Sequence, residues 1–331
     1  HRSRSWVRTA SVQVLWSLCW AMIPEYTAFH VDTKVSIMRA TPGPVSGAPS
    51  AAGHGPDIGA NGASLFPAAW RTLPPELADS YRILGDYAGA LRAVADHPAL
   101  EPSRKEARLK AVARAIEGAD GFEAEDAAAR AALTLRHLLQ SRDLDIRDPW
   151  QMLQAEGQDI EKSAYADWSD LLAWCRFWAA PQGRMAFSLA GGSEAGLARA
   201  ESFAIAVELL HLVEQAPAHQ KWLGRVYLPA RWFKEAESDA SELAGAGATV
   251  GLNRVFARAI DEAGRLLAAS GGLHRHLPTR RLRVAMAIAQ GEAHAWARSL
   301  AGADPLRGAK RPDRTARLMA SVVGALRGLA S

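Results

Sequence analysis

The chain has 331 residues, 49% of them hydrophobic, which is enough to bury a large core without disulfide or metal staples. Its 39 Lys and Arg against 35 Asp and Glu leave a formal charge of +4, mildly basic and scattered, with no module that reads nucleic acid. Ala and Leu dominate, β-branched runs are scarce, and apolar residues recur at helical spacing, so the chain is predicted to be all-α.

Arg2, Arg4 and Arg8 precede an apolar run over residues 10–23, the outline of a signal peptide. Gln13 and Ser17 interrupt that run, no small-x-small cleavage site follows, and it is too short to span a bilayer. Residues 1–38 are therefore read as an N-terminal extension outside the mature protein, with the natural start near Met38. Residues 39–63, rich in Gly, Pro, Ala and Ser, read as a flexible linker, and residues 64–329 as one helical domain. The two cysteines, Cys19 and Cys175, form no disulfide framework and no metal quartet, which predicts a reducing, cytoplasmic setting.

Within the domain, residues 64–77 form a proline-marked helix start in which Phe66 and Trp70 read as a cap on the bundle. In residues 77–96, Tyr81, Leu84, Ala88, Leu91 and Ala95 recur at three- and four-residue steps, a bundle-facing seam. The stretch past Pro98 reads as an amphipathic helix with a solvated face. The central segment, residues 158–185, reads QDIEKSAYADWSDLLAWCRFWAAPQGRM, and its Ala179, Ala180 and Gly183 suit close helix packing. Further on, Phe203, Val207, Leu210 and Val213 form another buried stripe, and a neighbouring face presents Glu208, His211 and Gln215, with His219 one turn beyond. That helix exits into Arg225-Val226-Tyr227-Leu228-Pro229. In the last third, His274, His276 and clustered arginines read as a solvated basic face, with a lipid-headgroup or diphosphate patch as the alternative.

The R-V-Y-L-P turn, the central segment and Asp304-Pro305-Leu306 near the end resemble the squalene/phytoene synthase family, in particular its bacterial hydroxysqualene synthase branch. The resemblance implies a single-domain isoprenoid-synthase-like helical bundle around a central apolar cavity, lined from the helices around Leu91, Tyr165 and Leu210. It also implies Mg²⁺-dependent conversion of prenyl diphosphates, farnesyl or presqualene diphosphate, to squalene-type products. Under it, Tyr165 stands beside a developing allylic cation, whose charge its ring face can stabilise. Asp96, Arg225 and Tyr227 join it as catalytic residues, and Asp159, Lys162 and Arg184 contact the substrate diphosphate or pocket. On residues alone, Tyr165 and Trp168 read equally well as bundle core.

The chain departs from the family where the metal should sit. The first aspartate-rich motif becomes Arg92, Ala93 and, surviving, Asp96; the second helix carries His211, Gln215 and His219 in place of an asparagine and two aspartates. A positive charge at Arg92 would repel a cation by about 4 kcal/mol per unit charge at roughly 4 Å and an effective dielectric near 20. Upstream, Gly85, Asp86 and Gly89 replace a tyrosine and two arginines, and each helix-interior glycine costs about 1 kcal/mol relative to alanine, a pattern of relaxed constraint. No metal site is expected, and Mg²⁺ binding is expected to be weak or lost. His211 and His219 could ligate a softer metal only if Pro217 bent the chain enough to bring them together. The expected function is thus a family member impaired in prenyl-diphosphate chemistry. The alternative is a non-catalytic homologue that binds a prenyl lipid or partners an active synthase paralogue, cytoplasmic and in peripheral contact with membrane.

Overall fold

The computed structural model describes residues 69, 71–119, 126–308, 312 and 314–329. The N-terminal extension, the linker, Phe66 and Trp70 lie outside the described residues. Among those described, the chain forms helices and turns with no strand; a single parallel bridge joins Ala164 to Val226.

Helix α1 spans Pro75–Ala95. Pro75 sits at its first turn, where the missing N–H costs nothing, and the His97-Pro98 pair follows its end. Helix α2, Pro102–Glu117, stops at Gly118, whose φ of 72° is the left-handed C-cap that glycine accepts freely. Helices α3, Ala127–Ser141, and α5, Trp168–Leu189, are capped by the side chains of Asp126 and Asp167, and α4, Arg147–Glu161, lies between them. Helix α6 covers Leu197–Ala218. It runs through Pro217 and then widens into a π-helical turn over His219–Leu223, so the proline neither ends nor sharply breaks the helix. Short α7, Ala230–Glu235, follows Pro229; then come α8, Val250–Ala269, α9, Arg280–Ala301, and α10, Arg314–Leu329.

Packing among these helices sets the site. A methyl group on Gly183 of α5 would lie 2.6 Å from the Ala200 carbonyl oxygen of α6, so the two backbones approach as closely as they do only because that residue is glycine. Leu91, Tyr165 and Leu210 are fully buried in the main apolar core, together with Trp174, Met152 and Leu209. Helix α10 packs along α9 and leaves Leu318, Met319, Val322, Val323, Leu326 and Leu329 exposed. No helix among the described residues is long and apolar enough to cross a membrane.

Candidate functional site

A cavity of about 300 Å³ lies between α1, α5, α6 and the first half of α9. Leu84, Ala88, Phe203, Leu282 and Met286 give it apolar walls, and Arg92, Gln182, Glu208 and His211 its polar lining. Helices α1 and α6 wall it as the sequence suggests, but Leu91, Tyr165 and Leu210 belong to packed core and not to its lining. Gly85 and Gly89 face this space, and a methyl group on Gly89 would meet nothing within 4 Å. The glycines read as a sign of relaxed constraint therefore enlarge the cavity.

Arg92 dominates the polar end. Its side chain is 8% exposed, its Nη2 donates to Glu208 Oε1 at 2.9 Å, and its Nε stands 3.0 Å from Glu156 Oε1 as an ion pair without hydrogen-bond alignment. The guanidinium also lies 4.4 Å from the Trp178 ring centre and 5.3 Å from that of Trp174, a cation–π clamp. Burial opposes its charge, but Glu156, Tyr227, Glu208 and Asp96 outweigh burial and hold its pKa well above the usual arginine range. Arg92 Nη1 is buried and has no hydrogen-bond acceptor among the described residues. Glu156 is fully buried, and that burial pushes its carboxyl well up despite Arg92.

Behind Arg92 lies a second polar network, assembled by backbone pairing between the loop after α4 and the R-V-Y-L-P turn. Val226 N–H donates to the Ser163 carbonyl at 2.8 Å, Ala230 N–H to that of Tyr165 at 2.8 Å, and Arg231 N–H to that of Ala166 at 3.0 Å. The zipper places Asp159 between two tyrosines: Tyr165 donates to its Oδ1 at 2.7 Å and Tyr227 to its Oδ2 at 2.5 Å. The tyrosine rings stack at 5.5 Å. Arg225 donates to Asp96 Oδ1 at 2.7 Å, to the Tyr227 hydroxyl at 3.0 Å, and to the backbone carbonyl of Asp159. Burial raises the Asp159 pKa against the pull of Arg225 and Tyr227, and burial followed by the Asp159 charge drives both tyrosine hydroxyls far up, so they stay donors. His219 is buried beside this network, its ring 5.1 Å from Tyr227 and 6.3 Å from His211. Burial, then Arg92, His211 and Arg225, hold it well below the usual histidine range and therefore neutral.

Of the residues singled out in the sequence, Asp96, Asp159, Tyr165, Arg225 and Tyr227 come together with Arg92 and His219, yet apart from Arg92 none of these lines the cavity. Lys162 pairs with Asp170 at 2.5 Å, nearer the surface, with its ammonium 4.4 Å from the Tyr165 ring centre. Arg184 is held by Asp148 at 2.6 Å and Glu201 at 2.8 Å in a network of its own. Ala93 is exposed, and Gln215 lines a shallow surface pocket with Glu214 and Pro217. Glu156 was missed, although it stands three residues before Asp159, a spacing that puts two carboxylates on one helical face.

This end does not suit Mg²⁺. An oxygen-seeking dication needs free carboxylates, and here Glu156 and Glu208 are committed to Arg92, Asp96 to Arg225, and both Asp159 oxygens to tyrosines. Among the described residues no group of three or more His, Cys, Asp or Glu is arranged to hold a metal ion.

The chain matches the model of the squalene/phytoene synthase family over residues 60–317. It is 25% identical over 214 residues to a hydroxysqualene synthase of Sinorhizobium fredii, covering 65% of this chain and 71% of that one. It is 23% identical over 241 residues to the hydroxysqualene synthase of Rhodopseudomonas palustris, covering 73% and 80%. Among solved structures it resembles squalene synthase HpnC from Alicyclobacillus acidocaldarius, with a TM-score of 0.58 and 21% identity over 70% of this chain and 86% of that one. It also resembles a dehydrosqualene synthase in complex with ligand, with a TM-score of 0.65 and 16% identity over 82% and 93%. At these identities the structural likeness carries the fold.

Proposed function

We propose that this chain, which belongs to the squalene/phytoene synthase family, binds an isoprenoid chain in its cavity but does not turn over prenyl diphosphates at a useful rate. The single observation that carries this reading is Arg92, a guanidinium held by Glu156 and Glu208 at the polar end of the cavity. Departure of a diphosphate needs its charge neutralised as the bond breaks, the service a metal ion supplies. Arg92 brings one positive charge, and its ion pair with Glu208 already offsets it. Losing about 5 kcal/mol of such stabilisation slows a reaction by about four orders of magnitude. The apolar walls remain, so the hydrophobic part of ligand binding persists. Residues 64–329 form the functional domain in this reading, and the protein works at a membrane surface where isoprenoid lipids reside.

The test is incubation of the purified full chain with farnesyl or presqualene diphosphate and Mg²⁺, followed by organic extraction. The expected result is no squalene-type product above the protein-free control. Robust Mg²⁺-dependent product formation would overturn the reading.

A further inference from the structure

We propose that the outer face of α10, together with the arginines at the start of α9, docks the protein on an anionic lipid surface. The inference rests on the membrane-surface reading above and deepens it by naming the docking face and the lipid charge it takes. Helix α10 is built the reverse of an ordinary packed helix, with its small residues inward and its large ones outward. A methyl group on Gly324 would lie 2.5 Å from the Ala287 carbonyl oxygen, and one on Gly328 2.7 Å from Val284 Cα, so α10 meets α9 backbone to backbone. Leu318, Met319, Val322, Val323, Leu326 and Leu329 are all exposed. They recur at three- and four-residue steps and so share one face, a continuous apolar patch of the kind that marks an interaction site.

Charge selects the occupant. Gly328 lies against Val284 and Ala320 against Gly291, so the two helices run antiparallel and the C-terminal end of α10 meets the start of α9. Arg275, Arg280, Arg281 and Arg327 are exposed, and Arg283 is half-buried. Burial, and then Arg275, Arg327 and Arg283 acting against its bond to Gln290, hold His274 below the usual histidine range, which ties those three arginines to one region. Neither residues 271–291 nor residues 314–329 contain an Asp or Glu. The turn over Glu194–Gly196, which packs against the Leu273–His276 turn, adds one exposed carboxylate, far short of balancing the arginines. An apolar helical face beside a cationic edge fits acyl chains under anionic headgroups. A second copy fits worse, because a two-fold pairing lays the same patch against itself and meets positive charge with positive charge. Leu282, Ala285 and Met286 of α9 line the cavity while Val284 and Ala287 meet α10, so a single helix separates the docking face from the isoprenoid site.

The experiment is co-sedimentation of the full chain with vesicles of phosphatidylcholine alone and of phosphatidylcholine mixed with phosphatidylglycerol, with sedimentation equilibrium in lipid-free buffer alongside. Partition onto the mixed vesicles is expected to be at least about tenfold stronger, and most of that advantage should vanish at about 0.5 M NaCl. Arg281 is tied to the Thr72 and Leu73 carbonyls and Arg283 to that of Leu277, so the charge test uses the other three. Arg275→Gln, Arg280→Gln and Arg327→Gln together should weaken binding to mixed vesicles on the order of a hundredfold, about fivefold per arginine, and leave binding to phosphatidylcholine little changed. Met319→Gln with Leu326→Gln should weaken binding to both vesicle types at least about tenfold. The lipid and salt series on the unmodified protein stands even if a variant misfolds. Equal partition onto the two vesicle types, or full binding by both variants, overturns this docking face and leaves a membrane-surface location in place. A dimer in lipid-free buffer that Met319→Gln with Leu326→Gln dissolves assigns the face to a second copy and overturns the inference. Absence of binding to either vesicle type overturns the membrane-surface reading and the inference together.

Discussion

Replacing Arg92 by methionine tests the electrostatic logic of the core directly. Arg92 is the ion-pair partner of fully buried Glu156, and its removal leaves that buried carboxyl without its nearest positive charge while Asp159 and Asp96 still act on it. Breaking a buried pair from one side costs about 3–5 kcal/mol. For a domain of this size that corresponds to a fall in melting temperature of roughly 6–20 °C, at about 2–4 °C per kcal/mol.

The pH dependence supplies a second signature. Burial raises the Glu156 pKa above its unfolded value, with Arg92 opposing the rise. A raised carboxyl holds its proton more tightly in the folded state, so its contribution is fully present below about pH 4.3 and is lost as pH rises toward the folded pKa. Without Arg92 the folded pKa climbs further and the losing window extends upward. Arg92→Met should therefore be more damaging at pH 8 than at pH 5. Adding Glu156→Leu should recover at least half the loss, because a buried ion pair replaced on both sides by apolar groups is near neutral. Urea melts followed by circular dichroism at both pH values measure all of this. A loss under about 1 kcal/mol that is the same at pH 5 and pH 8 would refute the assignment of Arg92 as the charge that holds this core together.

Three further outcomes follow from the same geometry. His219 has a depressed pKa from burial, then Arg92, His211 and Arg225, so its contribution is full above about pH 6.5 and is lost as pH falls toward the folded pKa. His219→Phe should flatten the change in urea midpoint between pH 7.5 and pH 5.5, and an unaltered slope would contradict the assignment. Gly89→Ala should stabilise by about 0.5–1 kcal/mol, since its methyl group meets open cavity, whereas Gly183→Ala should cost about 1–3 kcal/mol because the methyl collides with the Ala200 carbonyl; equal effects would argue against the α5–α6 contact. The exposed apolar stripe of α10, with Leu318 63% and Leu326 61% accessible and exposed Arg327 on the same helix, should carry the protein onto phosphatidylglycerol vesicles in a salt-sensitive way. Leu318→Glu with Val322→Glu should lose that binding, and equal co-sedimentation of the two proteins would count against a membrane-facing α10.

How much of this is legible in the sequence depends on the distance over which each feature is decided. The all-α class, the α1 seam and the α6 stripe are local, set by residues three or four apart, and the periodicity of Leu84, Leu91, Phe203 and Leu210 gives them away. The meeting of Tyr165 and Tyr227 on Asp159 is not local, and only the family resemblance pointed to those segments together. Arg92 marks where linear reading stops. In the sequence it stands as a positive charge at a position meant for cation binding, and nothing nearby says what it pairs with. Its partners come from α4 and α6; Glu208 is 116 residues away in the chain. Only the fold puts Glu208 at 2.9 Å and Glu156 at 3.0 Å, and that placement turns an apparent defect into a neutralised core group.

The glycines of α1 follow the same rule in reverse. By helix propensity alone Gly85 and Gly89 are costs of about 1 kcal/mol each. Their benefit, cavity volume next to Arg92, exists only once α1 faces α5 and α6. Pro217 is the intermediate case: its lost hydrogen bond predicts a break, but the chain answers with a π turn that keeps His219 buried against Tyr227. In each instance the local penalty is real and is offset by a contact made with a distant part of the chain. Substitutions that look like decay of a metal site thus coincide with a coherent interior in which one guanidinium at the polar end of the cavity is packed against two indoles and faced by two carboxyl groups.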